Sequence, residues 1–182
     1  GNIELVTTNN DGVFVVQMDS LGQVIWATQS VYAFEAEGKA LAIDEAKKQL
    51  YVTGEFGQYL SIFGDTLIGD ISANDIFLAA LDSNGNWLWQ RQYGGTYDDT
   101  VSDLLWANDA LYLAGQFRGN LQLDTALLVT ATLRYDAYVA KLDALGKVSW
   151  ASQSQSQSDY PGSRYPGTAL HDGPVRTLAV PA

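Results

Sequence analysis

Asp75-Ile-Phe-Leu-Ala-Ala-Leu-Asp-Ser-Asn-Gly-Asn-Trp-Leu-Trp89 decides how this chain is read, because it recurs. Gly12-Val-Phe-Val-Val-Gln-Met-Asp-Ser-Leu-Gly-Gln-Val-Ile-Trp26 and Asp136-Ala-Tyr-Val-Ala-Lys-Leu-Asp-Ala-Leu-Gly-Lys-Val-Ser-Trp150 align with it without gaps. Asp19, Asp82 and Asp143 are equivalent, as are Gly22, Gly85 and Gly146, at steps of 63 and then 61 residues. Working outward, Leu50-Tyr-Val-Thr-Gly-Glu-Phe56 matches Leu111-Tyr-Leu-Ala-Gly-Gln-Phe117 at the same 61-residue step. A spaced apolar pair follows each, Leu60 with Ile62 and Leu121 with Leu123. Repetition at a fixed period marks an architecture assembled from like supersecondary units.

Each unit reads as four short strands. Leu41-Ala-Ile43 and Leu104-Leu-Trp106 are first strands, and the Tyr-x-x-Gly-x-Phe elements are second strands. In the third strand Phe14, Val16 and Met18 share a face, as do Phe77, Ala79 and Leu81, and Tyr138, Ala140 and Leu142. An Asp-x-x-Gly turn follows, with Gly where positive φ is cheap, and the fourth strand carries Trp26, Trp89 or Trp150. No stretch keeps helical periodicity over three turns. Four antiparallel strands repeated every 61 residues or so predict an all-β protein, a β-propeller fragment built of four-stranded antiparallel blades. A β-sandwich also uses short strands, but has no reason to repeat them in register. The expected organisation is a single partial propeller over 1–182: half a blade at 1–30, complete blades at 40–92 and 101–153, an inserted polar loop at 154–173, and the first strand of a further blade at 174–182. The chain is thus expected to be a piece of a longer protein, since a ring needs four or more blades.

Composition narrows the function. With 10 Lys plus Arg against 21 Asp plus Glu, the formal charge of −11 disfavours nucleic acid and anionic membrane surfaces. Cysteine is absent, which removes disulfides, thiolate metal sites and cysteine nucleophiles. No apolar run approaches the roughly 18 residues that span a bilayer, so no membrane insertion is expected. The aromatic content of 12% suits a sheet-rich protein.

Phe63-Gly-Asp-Thr-Leu67, Asn74-Asp-Ile-Phe-Leu-Ala-Ala-Leu-Asp82, Gly85, Trp89, Tyr93-Gly-Gly95 and Asp98-Asp99 together resemble the bacterial SBBP-type β-propeller repeat. Tyr112-Leu-Ala-Gly-Gln-Phe117 continues the likeness, which covers residues 1 to about 153 and the stretch near 175–180. The resemblance implies a part of a large secreted or cell-surface bacterial protein. It departs from the pattern in unit one, which lacks the Gly-Gly pair, and in unit three, where a polar insertion replaces it.

Four features could carry chemistry. Asp82-Ser-Asn-Gly-Asn86 loosely evokes a calcium loop, but its counterparts place Leu21 and Leu145 within the turn, so turn chemistry is the better reading. Asp98, Asp99 and Asp103 could supply acid/base chemistry or bind a cation; the alternative is that they satisfy backbone amides between blades. The stretch from Trp150 to Leu178 is 28 residues, against 15 in the earlier units, and its excess holds Tyr160, Arg164, Tyr165 and His171, a set suited to stacking on and hydrogen-bonding a sugar or peptide. The recurring tryptophans are expected to pack blade on blade. With one histidine and no nucleophile elbow or phosphate loop, no triad, cofactor or metal centre is expected.

The expectation is therefore a non-catalytic binding, adhesion or assembly scaffold, meeting a protein or carbohydrate partner and the remaining blades of its parent chain. The long connections 57–74 and 118–135 and the insertion would form its binding face. The rival is a propeller hydrolase or lyase acting on polysaccharide with two of Asp98, Asp99 and Asp103 as acid and base.

Overall fold

A computed structural model describes residues 4–6, 12–62, 64–130 and 134–154. The polar insertion after Ser154, the strand expected at 174–182, and Tyr160, Arg164, Tyr165 and His171 with them, lie outside the described residues. The chain is all-β with antiparallel sheets, and among the described residues there is no helix. None is therefore long and apolar enough to cross a membrane.

Strands β1 (Phe14–Met18) and β2 (Val24–Gln29) form a hairpin, followed by the short β3 (Tyr32–Ala33). Next come β4 (Glu37–Asp44), β5 (Gln49–Phe56), β6 (Tyr59–Ser61), β7 (Thr66–Ile68), β8 (Asp75–Asp82) and β9 (Trp87–Gly95). The last unit holds β10 (Thr100–Ala107), β11 (Ala110–Arg118), β12 (Asn120–Leu123), β13 (Ala126–Val129), β14 (Tyr135–Leu142) and β15 (Val148–Gln153). The order β4-β5-β8-β9 in the second sheet is repeated by β10-β11-β14-β15 in the third. Registers repeat as well: Leu50 faces Leu81 as Leu111 faces Leu142, and Phe56 faces Asp75 as Phe117 faces Asp136. The four expected strands of each complete unit are all present.

The sheets lie face to face, which explains why equivalent strands differ in sequence. One core joins the first and second sheets through Val13, Val15, Val52, Phe77, Ala79 and Leu81. The other joins the second and third through Tyr51, Ile76, Leu78, Ala80, Tyr138 and Ala140. Strand β8 is covered on both sides, so it reads as an unbroken apolar run. Strand β14 is covered on one side and alternates, with Lys141 on its outer face. The expected shared face of Phe77, Ala79 and Leu81, and of Tyr138, Ala140 and Leu142, looks toward the preceding sheet. In β1 no sheet among the described residues covers the same face: Phe14 is 65% exposed, while Val13 and Val15 on the opposite face are buried.

The tryptophan positions depend on a β-bulge in every third-to-fourth strand pair. Gln17 pairs with Trp26 but Met18 with Val24, leaving Ile25 as the extra residue. Leu88 and Ser149 are extra in the same place. In a regular strand, residues two apart share a face; one extra residue breaks that alternation. Trp87 therefore packs into the first core and Trp89 into the second.

The stretches 57–74 and 118–135 are not the open loops expected of a binding face. Each contains a hairpin, β6–β7 and β12–β13, that reaches back to the preceding unit. Leu121 pairs with Gly95, and Leu60 with Ala33. Leu60, Leu121 and Leu123 are fully buried, which accounts for the spaced apolar pairs.

Candidate functional site

The turns are built by their aspartates. Asp19 Oδ1 accepts the amides of Leu21 and Gln23 at 2.8 and 2.9 Å, and Asp82 and Asp143 repeat both bonds. The glycine that follows takes φ near +77°, +81° and +75° in the three copies. Asp82 also accepts the Asn86 side chain, and these bonds hold its carboxyl below its ordinary value. Its oxygens are engaged in the turn, in keeping with the turn reading of Asp82–Asn86.

Asp98, Asp99 and Asp103 follow the strand end at Tyr93-Gly-Gly95, where the second sheet gives way to the third. Asp98 Oδ1 accepts the Asn74 amide at 3.0 Å, and the Asp99 amide donates to the Asn74 carbonyl at 2.9 Å. Asp103 sits at the bulge between β10 and β11, and its carboxylate accepts the Leu104 amide at 2.9 Å. Asp98 and Asp103 thus both serve backbone amides, but only the Asp98 bond links successive units, that of Asp103 staying within its own strand. Asp98 also lines a polar cavity of about 200 Å³ with Glu35, Gln58, Asp70 and Ser72.

Asp99 behaves differently. Its side chain has no exposed surface, and neither carboxyl oxygen finds a partner of good geometry. The Gly95 and Arg118 amides favour its anion from farther off, but burial and then the negative Asp75 push its carboxyl up to about 8. A group with that value is largely neutral at pH 7. Asp75, on β8, is also buried; desolvation raises its carboxyl to about 6 against the opposing pull of Gln92, which donates to Asp75 Oδ2 at 2.6 Å. Both carboxyls feel the same Gly95 amide. Glu55, nearby on β5, is raised mainly by burial, although it accepts the Val101 amide at 3.1 Å and lies 3.9 Å from Lys39.

The Gly94-Gly95 pair makes this arrangement possible. A Cβ on Gly94 would stand 2.0 Å from Asp75 Oδ1, and one on Gly95 would stand 1.7 Å from the Asn120 carbonyl oxygen. Asp75, Gln92, Gly94 and Gly95 also line an open polar cleft of about 500 Å³, completed by Gln122 and Asp124. Asp124 is engaged with the Val148 amide at 2.9 Å, with the Arg91 guanidinium 3.9 Å away.

The structure therefore brings Asp99 to Asp75, a residue the sequence reading passed over. Its signal was available: Asp75 and Asp136 hold one repeat position, and both are buried. A second overlooked signal is Gln29, Gln92 and Gln153, three residues after each tryptophan. Gln92 Nε2 donates to the Ile68 carbonyl at 2.8 Å, and Gln153 Nε2 to the Val129 carbonyl at 2.9 Å. Each of these two tethers the hairpin of its own unit. Among the described residues, no group of three or more acidic or histidine side chains is placed to hold a metal ion. No protein-family model and no curated protein matches the chain.

Proposed function

We propose that the face-to-face sheets are blades of a β-propeller of the SBBP-repeat kind, and that the chain serves as a non-catalytic binding, adhesion or assembly scaffold. It would belong to a larger bacterial protein that is secreted or displayed at the surface. The observation that carries this reading is the repetition of the seam. Trp26 of the first sheet covers the Gly85 turn of the second, and Arg91 and Trp89 of the second cover the Gly146 turn of the third, although the indole N–H donates to the turn only at the first seam. A unit that binds its successor with parts present in every copy suits a radial array.

The chemistry of the acidic cluster supports a scaffold over a polysaccharide hydrolase or lyase. Such an enzyme needs an acid and a base facing one cleft. Asp98 and Asp103 are tied to amides, and Asp99 has no surface. A carbohydrate or protein partner would meet the polar cleft of Asp75, Gln92, Gln122 and Asp124 beside the β12–β13 hairpin.

The test is a panel of neutral and acidic polysaccharides, followed by affinity electrophoresis for binding and by reducing-end release and unsaturated-product absorbance for cleavage. Retarded migration without product is expected. Turnover that Asp98→Asn or Asp103→Asn abolishes would establish the enzyme instead.

A further inference from the structure

The two glutamines of the cleft beside β12 decide what it can hold. A glutamine amide has two N–H groups to give and one oxygen that accepts. Gln92 Nε2 gives both, to the Ile68 carbonyl at 2.8 Å and to Asp75 Oδ2 at 2.6 Å. Gln122 Nε2 also gives both, to the Asp124 and Ala126 carbonyls of its own hairpin. Among the described residues neither Oε1 accepts a bond. The remaining side chains of the cleft are the carboxylates of Asp75 and Asp124. Its side-chain lining therefore offers acceptor oxygens and no free donor.

One of those acceptors is buried and unanswered. Asp75 is only 4% exposed, and its Oδ1 has no hydrogen-bond partner. That oxygen lies against Gly94 in the wall of the cleft, 2.0 Å from where a Cβ would stand. Asp99, whose carboxyl feels the charge of Asp75, is fully buried with neither oxygen partnered. Buried carboxylates are ordinarily paired with a cation or coordinate a metal. Arg91 answers only Asp124, from 3.9 Å, its Nε being given to the Leu145 carbonyl.

Comparison of the repeats separates this cleft from the architecture. At the preceding junction the positions of Asp75, Gly94, Gly95, Gln122 and Asp124 are Gly12, Val31, Tyr32, Ser61 and Phe63, and that of Asp99 is Ala36. The first two sheets join without any of the three carboxyls, so joining sheets is not what requires them.

We propose that the cleft binds a calcium ion through the carboxylates of Asp75 and Asp124 and the amide oxygens of Gln92 and Gln122. The inference rests on the reading of this cleft as a place where a ligand is met, and names the ligand. Calcium takes about six to eight oxygen ligands in flexible geometry, amide carbonyls among them, and fills the rest of its shell with water. An open cleft of about 500 Å³ leaves room for that water. Magnesium demands a tighter octahedron. Asp75 and Gln92 belong to the second sheet, and Gln122 and Asp124 to the hairpin of the next unit, so the ion ties one unit to the other.

Isothermal titration of the full chain with calcium chloride tests this, after chelation and at fixed ionic strength, with thermal melts in parallel. One site with a dissociation constant of about 0.1–1 mM is expected, together with a melting temperature that rises as calcium is added. Asp124→Asn and Gln122→Ala are each expected to weaken binding about tenfold or more; both residues are exposed, so the two cores stay intact. Magnesium chloride is expected to bind at least about tenfold more weakly than calcium. An equal response to the two ions would mean screening of the −11 charge and would overturn the proposal. So would the absence of saturable calcium binding, or variants that bind as the parent does. Asp70→Asn, in the separate polar cavity, is expected to bind as the parent; lost binding there would move the ion and overturn the assignment. No polysaccharide or protein partner enters the measurement. Failure here leaves the scaffold reading standing, and an inert polysaccharide panel leaves the calcium site standing.

Discussion

Replacing Asp99 with asparagine removes one titrating proton from the seam between the second and third sheets while keeping the shape of the side chain. In the unfolded chain this carboxyl titrates near 3.8, and in the fold burial and Asp75 hold it up to about 8. Between those values the folded state retains a proton that the unfolded state has released, so stability must fall as pH rises. The stabilisation is complete below pH 4, declines by up to about 1.4 kcal/mol per pH unit, and is exhausted above about pH 8. From pH 5 to pH 8 the parent is expected to lose up to about 4 kcal/mol through this group alone. Asp75, raised to about 6, adds a smaller loss of the same sign over the lower part of the range. Asp99→Asn cannot release a proton, so it should gain on the parent by up to about 4 kcal/mol over that interval, whatever it costs at pH 5. Urea denaturation followed by tryptophan fluorescence, at half-unit pH steps, gives both curves. Parallel curves for parent and variant would refute the account, because Asp99 would then be ionised in the fold and its burial compensated by a partner the structure does not contain.

Two other substitutions follow from close contacts. Gly94→Ala places a methyl group 2.0 Å from Asp75 Oδ1 and should destabilise the fold by about 3 kcal/mol or more in urea titration. Gly22→Ala meets no neighbour and should cost only about 1 kcal/mol, the strain of its left-handed backbone. Trp89→Ala opens the packed second seam and should cost about 3 kcal/mol or more, against less than about 1 kcal/mol for Trp150→Ala at its half-exposed position; equal losses in thermal melts would contradict the assignment of Trp89 to a seam.

Much of the strand plan was legible because three aligned copies cancel the noise of any one. A single unit would not have separated Asp82-Ser-Asn-Gly-Asn86 from a cation loop; the leucines in its counterparts did. The bulge was not legible, since an extra residue at Ile25, Leu88 or Ser149 leaves no mark in composition, and plain alternation would put Trp87 and Trp89 on one face. The hairpins were half visible: the buried pairs Leu60/Ile62 and Leu121/Leu123 stood out, but Thr66–Ile68 and Ala126–Val129 present few buried residues and carry little pattern. Asp75 was hidden for a different reason. An aspartate just before an apolar run reads as a turn residue, whereas Asp75 is the first residue of β8 itself, paired with Phe56 and hydrogen-bonded to Gln92.

The bulge before each tryptophan has a consequence for how such a chain can change length. Because one strand delivers a side chain to the sheet behind and another to the sheet ahead, a whole unit carries both surfaces needed to join its neighbours. Duplicating or removing one complete unit would keep the bulge, and with it the side of the sheet that each of its two flanking side chains faces, in step. A crossover misplaced by one residue in the fourth strand would send Trp87 and Trp89 to the wrong sides and spoil two cores at once. A chain built this way would tolerate changes of length by whole units better than by part of one.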